Sequence, residues 1–284
     1  MVVLEIWDLT KFYFEGIIKQ NFVLYYRTMK SIRKAIKILE ILSQNEEGVR
    51  VTQLSRSMNL PKSSIHQILS TLKEARFVEQ DSESKRYRLG LRIFELGNIF
   101  QSQLEIRKIA HPYLYNLSKK INETAYLVLL EDDTIVYVDC VESTARLRAH
   151  PIFGIKVPLH CTSLGKAIMA FLPEEKIDEI ISKGLERFTK NTITDPGKLK
   201  EELKKIKNKG YAIDNMEHEE GIKCVGAPIR NHRGEVFAAI SLSGPSQRFT
   251  PERIREMAPL VMQAANEISF KLGYRDPGEI KERR

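Results

Sequence analysis

The 284-residue sequence predicts a two-domain α/β protein, an N-terminal winged helix-turn-helix followed by a mixed α/β sheet domain. Three observations predict it. Residues 29–90 read helix, helix, tight turn, helix, hairpin, the element order of a winged helix-turn-helix. Residues 104–274 alternate apolar strand-like runs with punctuated helices, the pattern of a sheet covered by helices. Positive charge gathers in the first third: residues 29–92 hold 13 Lys/Arg against 7 Asp/Glu, six of the chain's net +8. Such a concentration points to a polyanion partner for that part of the chain.

Residues 1–28 are aromatic-rich and show no clean periodicity, so the reading treats them as an N-terminal extension, with Met29 the expected natural start. "SIRKAIKILEIL" places Ile32, Ala35, Ile36, Leu39 and Leu42 at helical spacing. In "VRVTQLSRSM" Thr52 is the expected N-cap of a short helix that buries Leu54 and Met58, and Asn59 suits its left-handed end. "LPKSSIHQIL" opens the third helix with Pro61 in its first turn. Ile65, Ile68, Leu69 and Leu72 form one narrow apolar stripe on it. "FVEQDSESKRYRLG" is a hairpin about a turn at Asp81–Ser84.

Residues 91–103 read as a linking helix, with a break near Gln101–Ser102 and a new helix from about Leu104. "TAYLVLLEDDTIVYVDCVES" is two strands around Asp132–Asp133. "ARLRAHPIFGIKVPLHCTSLGKAIMAFL" is a strand, a loop and a helix from about Ser163, with the strand before it ending in His160 and Cys161. Asp195, Pro196 and Gly210 punctuate a further helix. A hairpin about Asn231–Gly234 and an amphipathic helix complete residues 104–274, and residues 275–284 are a tail.

The outer face of the third helix is unusual. A solvated helix normally fills that face with long charged residues, whereas here Ser63, Gln67 and Ser70 lie opposite the stripe, with His66 and Lys62 on one flank. Small hydroxyls let a helix approach the major groove, and Gln can bond an adenine edge in bidentate fashion. Ser64 in the first turn and Thr52 on the preceding helix join them as DNA candidates, and Lys85, Arg86 and Arg88 on the wing are placed to grip phosphates. Glu74 is the exception, late on the helix. The expected partner is a double-stranded, near-palindromic operator bound by a symmetric dimer. Leu91, Ile93, Phe94, Leu96, Ile99 and Phe100 make the linking helix apolar enough to meet a second copy, in a dimer or a dimer of dimers.

Composition excludes other classes. No apolar run approaches the roughly 20 residues of a membrane span. Cys140, Cys161 and Cys224 are odd in number and form no close pair, and the N-terminus lacks a basic start and a cleavage site, which fits the cytoplasm. In the second domain, Thr162 and Ser163 open a helix, while Asp214, Cys224, Ser241 and Ser243 add polar groups; Ser241 and Ser243 share one strand face. Hydroxyls, a helix start and an apolar lining suit a small organic acid. Two rival readings exist. Cys161 beside His160 resembles a thiol nucleophile, but neighbours on a strand point to opposite faces. Cys161, Asp214, His218 and Cys224 could converge on a metal, but with no fixed short ligand spacing.

"RKAIKILEIL", "LPKSSIHQILSTLKEARFV" and "YRLGLRIFELG" resemble the N-terminal domain of the IclR family of bacterial transcription regulators. "VPLHCTSLGKAIMAFLP", "TITDPGKLKEELKKIKNKGYAIDNMEHEEGIKCVGAPI" and "AAISLSGP" resemble its second half, so the likeness spans roughly residues 29–274. Family members often carry Arg after the His of the recognition helix, where this chain has Gln67. The resemblance implies a GAF-like effector domain and a ligand-responsive regulator, a repressor of a catabolic operon, without enzymatic activity or a cofactor. Its pocket positions map onto Ala149, Val157, Ser163, Leu164, Asp214, Ile222, Cys224, Ser241 and Ser243.

Overall fold

The computed structural model describes residues 30–150 and 156–275. The expectations for the N-terminal extension and for the tail beyond Arg275 lie outside these residues. The chain divides into two compact units between Phe100 and Gln101.

In the first unit, α1 (residues 30–43) is followed by α2 (Val51–Ser57) and α3 (Lys62–Glu74). A hairpin of β1 (Val78–Gln80) and β2 (Tyr87–Leu89) forms the wing. Val49 bridges Tyr87 through two 2.8 Å backbone bonds and extends the wing by one strand position. The core is Ile38, Leu42, Leu54, Ile65, Leu69, Val78 and Tyr87. Three expectations shift here. The buried side of α1 runs through Ile38 and Leu42, while Ile32 and Ile36 stay 53% and 51% exposed. Helix α2 starts at Val51: Arg50 is the N-cap, and its N–H donates to the Gln53 side chain (2.9 Å). Thr52 is therefore an exposed helical residue, not a cap, and Met58 is only partly buried. Pro61 caps α3 rather than lying in its first turn. Asn59 takes the expected left-handed conformation at φ 49°.

Helix α4 (Leu91–Gln103) continues through Ser102, so the break falls at Leu104, the N-cap of α5 (Glu105–Ile121). No residue of α4 is buried; Leu91, Phe94 and Phe100 are 59%, 66% and 61% exposed.

The second unit is built on one antiparallel sheet of six strands: β3 (Thr124–Glu131), β4 (Thr134–Val141), β5 (Lys156–Pro158), β6 (Ala212–Asn215), β7 (Ile222–Arg230) and β8 (Val236–Pro245). Their order across the sheet is β5-β4-β3-β8-β7-β6. Residues 145–150 form no strand; the strand predicted there forms later, as β5. One sheet face packs Leu127, Val225, Ile240 and Leu242 against α5 and α9 (Pro251–Lys271). The other packs Tyr126, Val128 and Ala239 against α6 (Ser163–Met169) and α8 (Pro196–Lys209). A further helix, α7 (Glu174–Ser182), packs Ile180 on the same side. Asp195 caps α8 by accepting from the Lys198 N–H (2.8 Å), and Gly210 ends it at φ 80°. Among the described residues no helix is long and apolar enough to cross a membrane.

Candidate functional site

Two surfaces concentrate the predicted residues, one in each unit. On α3, Ile65 and Leu69 are fully buried and anchor the helix. Lys62, Ser63, His66, Gln67 and Ser70 point outward and are exposed, as is Thr52 on α2; Ser64 is half-buried. The side chains of Ser63, Gln67 and Ser70 make no hydrogen bond within the described residues, which leaves their donors and acceptors available to a ligand. On the wing, Asp81 accepts from the Ser84 N–H and hydroxyl (2.7 Å each), a turn that holds its carboxyl below the usual range. This places Lys85 at the tip, exposed and left-handed at φ 57°. The two wing arginines do not project freely. Arg86 reaches Glu47 and the Gly48 carbonyl (3.3 Å each), and Arg88 pairs with Glu79 (3.2 Å) and Asp81 (3.6 Å). Surface pairs of this kind are worth about 0–1 kcal/mol, so a phosphate competes with them readily.

In the second unit, strand register does what local sequence does not. Asp214 pairs with Cys224, Cys224 with Ser243, and Ser243 with Thr124. Directly opposed residues share a face, so these four stand in one row beneath the start of α6. The next row on that face is Ala212, Gly226, Ser241, Tyr126 and Cys140. Gly226 lets α6 approach the sheet closely there: a Cβ would sit 3.1 Å from Ser163, which would have to give by a few tenths of an ångström. A cavity of about 150 Å³ opens over the first row. Thr162 caps α6 by accepting from the Gly165 N–H (2.9 Å).

Six of the predicted positions besides Asp214 line this cavity: Ala149, Ser163, Leu164, Ile222, Cys224 and Ser243. Two do not. Val157 turns into the aliphatic core opposite Ile135, and Ser241 is buried one row deeper, beside Gly226. Sequence reasoning missed Tyr126, Tyr137, Arg148, His150 and Glu219 in the lining, and considered His218 only for metal. Arg148 and His150 sit in the stretch misread as a strand; Tyr126 is marked only by its register with Ser241.

Ser163 and Ser241 hydroxyls are buried with no hydrogen-bond partner among the described residues. The Ser243 hydroxyl donates to Cys224 Sγ (2.9 Å). Burial pushes the Asp214 carboxyl up to about 7, and the neighbouring Glu217 charge adds to it; N–H groups of Glu217 and His218 and the Lys166 charge pull the other way. Burial also lowers His218, favouring its neutral imidazole, and raises Glu217 despite its 2.6 Å bond from Lys166.

The rival chemistries fare poorly. His160 and Cys161 lie in a 3₁₀ turn (Leu159–Cys161), not on a strand. His160 Nε2–H donates to the Glu186 carbonyl (2.9 Å), Cys161 Sγ faces the Pro158 carbonyl (3.7 Å), and burial raises the thiol. Among the described residues no imidazole hydrogen-bonds it. Among the described residues no group of three His, Cys, Asp or Glu side chains could hold a metal ion.

Family models match both units: the IclR helix-turn-helix domain over residues 31–82, and the bacterial transcriptional regulator IclR C-terminal domain over residues 100–270. The chain belongs to the IclR family of transcriptional regulators. The Transcriptional repressor IclR of Escherichia coli K12 is 34% identical over 248 residues, covering 86% of this chain and 90% of its own. The HTH-type transcriptional regulator KdgR of the same organism is 34% identical over 251 residues, covering 88% and 95%. The crystal structure of the Thermotoga maritima IclR is 38% identical with a TM-score of 0.70, covering 87% of this chain and all of that one. As an IclR-family regulator the chain acts on DNA, which gives the bare face of α3 its context. The family's helix-turn-helix and sheet-domain architecture is the one described above.

Proposed function

We propose that this IclR-family protein is a repressor of a catabolic operon that binds a near-palindromic operator as a symmetric dimer. Ser63, Gln67 and Ser70 read base edges, with His66, Lys62, Ser64 and Thr52 flanking them, and Lys85, Arg86 and Arg88 hold phosphates. The exposed apolar face of α4 pairs two copies, in a dimer or a dimer of dimers. A small organic acid in the cavity over Asp214, Cys224 and Ser243 alters DNA affinity, a coupling typically worth about 1–3 kcal/mol. Repression is the sign of its Escherichia coli relative. The observation that carries the reading is the outward face of α3: exposed, small, polar and unbonded to its own protein.

The test is fluorescence anisotropy with duplexes from the gene's own upstream region. Nanomolar binding that Ser63→Ala and Gln67→Ala weaken, and that small carboxylates modulate, supports the proposal. Binding unaffected by both substitutions removes α3 as the reader.

A further inference from the structure

Asp214 carries an inference that rests on the acid-binding reading above. Its side chain is 3% exposed and lines the cavity. Charged and titratable groups face it from every side. Glu217 and His218 follow it in the chain, Lys166 rises from α6, Cys224 opposes it on β7, Tyr137 comes from β4, and Cys161 from the 3₁₀ turn. Arg148, His150 and Glu219 complete the ionisable lining.

The cations are accounted for. Lys166, fully buried, is held by Glu217 at 2.6 Å. Arg148 is shared with Glu142 at 2.8 Å. Of the two buried carboxyls, Glu217 bonds the ammonium, while Asp214 accepts the Glu217 N–H at 2.7 Å. With all three ionised, the group carries a net negative charge beside the space an anion would enter, and like charges in a buried site oppose one another's ionisation.

We propose that the cavity takes a monocarboxylic acid together with one proton on Asp214, and that Asp214 thereby selects singly charged acids over doubly charged ones. The carboxylate of Asp214 takes a proton from solvent as the acid enters; one O–H bond forms and nothing else changes covalently. Neutral Asp214 becomes a donor facing the ligand. A second carboxylate would find Arg148, already paired with Glu142, and the imidazoles of His150 and His218, with burial disfavouring the charged form of His218. Above the carboxyl's own titration range, each pH unit costs the bound acid about tenfold in affinity.

The test is calorimetry on the full chain with matched pairs: lactate and malate, gluconate and glucarate, benzoate and terephthalate, from about pH 6 to about pH 8.5. The tightest monoacid should bind at least about tenfold better than its diacid, and should lose about tenfold in affinity from about pH 7.5 to about pH 8.5. Paired titrations in HEPES and Tris near pH 8 should show about one proton taken up per site. Asp214→Asn should flatten the profile and keep the monoacid affinity at high pH. If that variant does not fold, the proton count on the native chain decides alone. A flat profile without proton uptake, or a diacid as tight as its monoacid, overturns the proposal and leaves the acid-binding reading in place. No heat with any of the six acids at any pH removes that reading, and this one with it.

Discussion

Ser63 and Ser70 on α3, and Ser163 at the start of α6 with Ser241 on β8, are the same residue type in opposite circumstances. The first pair is exposed, and water satisfies it at no cost. The second is buried with no partner, which costs about 1–3 kcal/mol for each hydroxyl. A groove-reading face must stay open and shallow. At the cavity Ser163 keeps its hydroxyl unpaired toward a ligand, while Ser241 lies one row deeper. The first surface is therefore visible in sequence as an absence of long charges, whereas the second is named there residue by residue and its arrangement emerges only when strands are aligned.

The sharpest way to break this contrast is at the buried end. Lys166→Ala should cost about 3–5 kcal/mol, because it strands Glu217 as an unpaired buried charge; urea denaturation checks it. A loss below about 1 kcal/mol would mean that the pair carries no charge. Asp214→Asn should stabilise the protein by up to about 4 kcal/mol at about pH 8 and scarcely at about pH 4. Asp214 holds its proton more tightly folded than unfolded. Stability therefore falls as pH rises from about 4 to about 7, and Asn removes that loss; melting temperatures across the range measure it.

On α3 the two faces should separate cleanly. Leu69→Ala should cost about 3 kcal/mol of stability, whereas Gln67→Ala should leave the denaturation midpoint unmoved and cost about 1–3 kcal/mol in binding at one base pair. Equal loss on every sequence would reduce Gln67 to a phosphate contact. Ser241→Ala should stabilise the ligand-free protein by about 1 kcal/mol, since it deletes an unpaired donor; a destabilised variant would reveal a partner for that hydroxyl. The smallest effect belongs to Lys85→Ala, which should leave stability within about 0.5 kcal/mol and lower the salt slope of DNA binding by about one.

What could be read in the sequence divides by range of interaction. The Ile65–Leu69 stripe, the Asp195–Gly210 helix and the two hairpins about Asp132 and Asn231 rest on neighbours within a few residues, and all appear where expected. On α1 the spacing identified a helix but not its buried side. Aliphatic residues line two adjacent stripes there, and packing against Leu54 and Leu69 chose Ile38 over Ile36. At α2 a good capping residue, Thr52, lost to Arg50, because Gln53 already satisfied the end. Arg86 and Arg88 were predicted by charge; their ion pairs with Glu47 and Glu79 depend on the folded wing.

The sequence by itself determined the winged helix, its basic surroundings and the bare polar face of α3, because helix periodicity and turn chemistry act over a handful of residues. Only the tertiary structure decided that Asp214, Cys224 and Ser243 form one row, that Tyr126 and Arg148 join them, and that Ser241 and Val157 do not line the cavity. Those facts follow from the register of strands distant in the chain and from how closely α6 approaches the sheet at Gly226. No local pattern encodes either one.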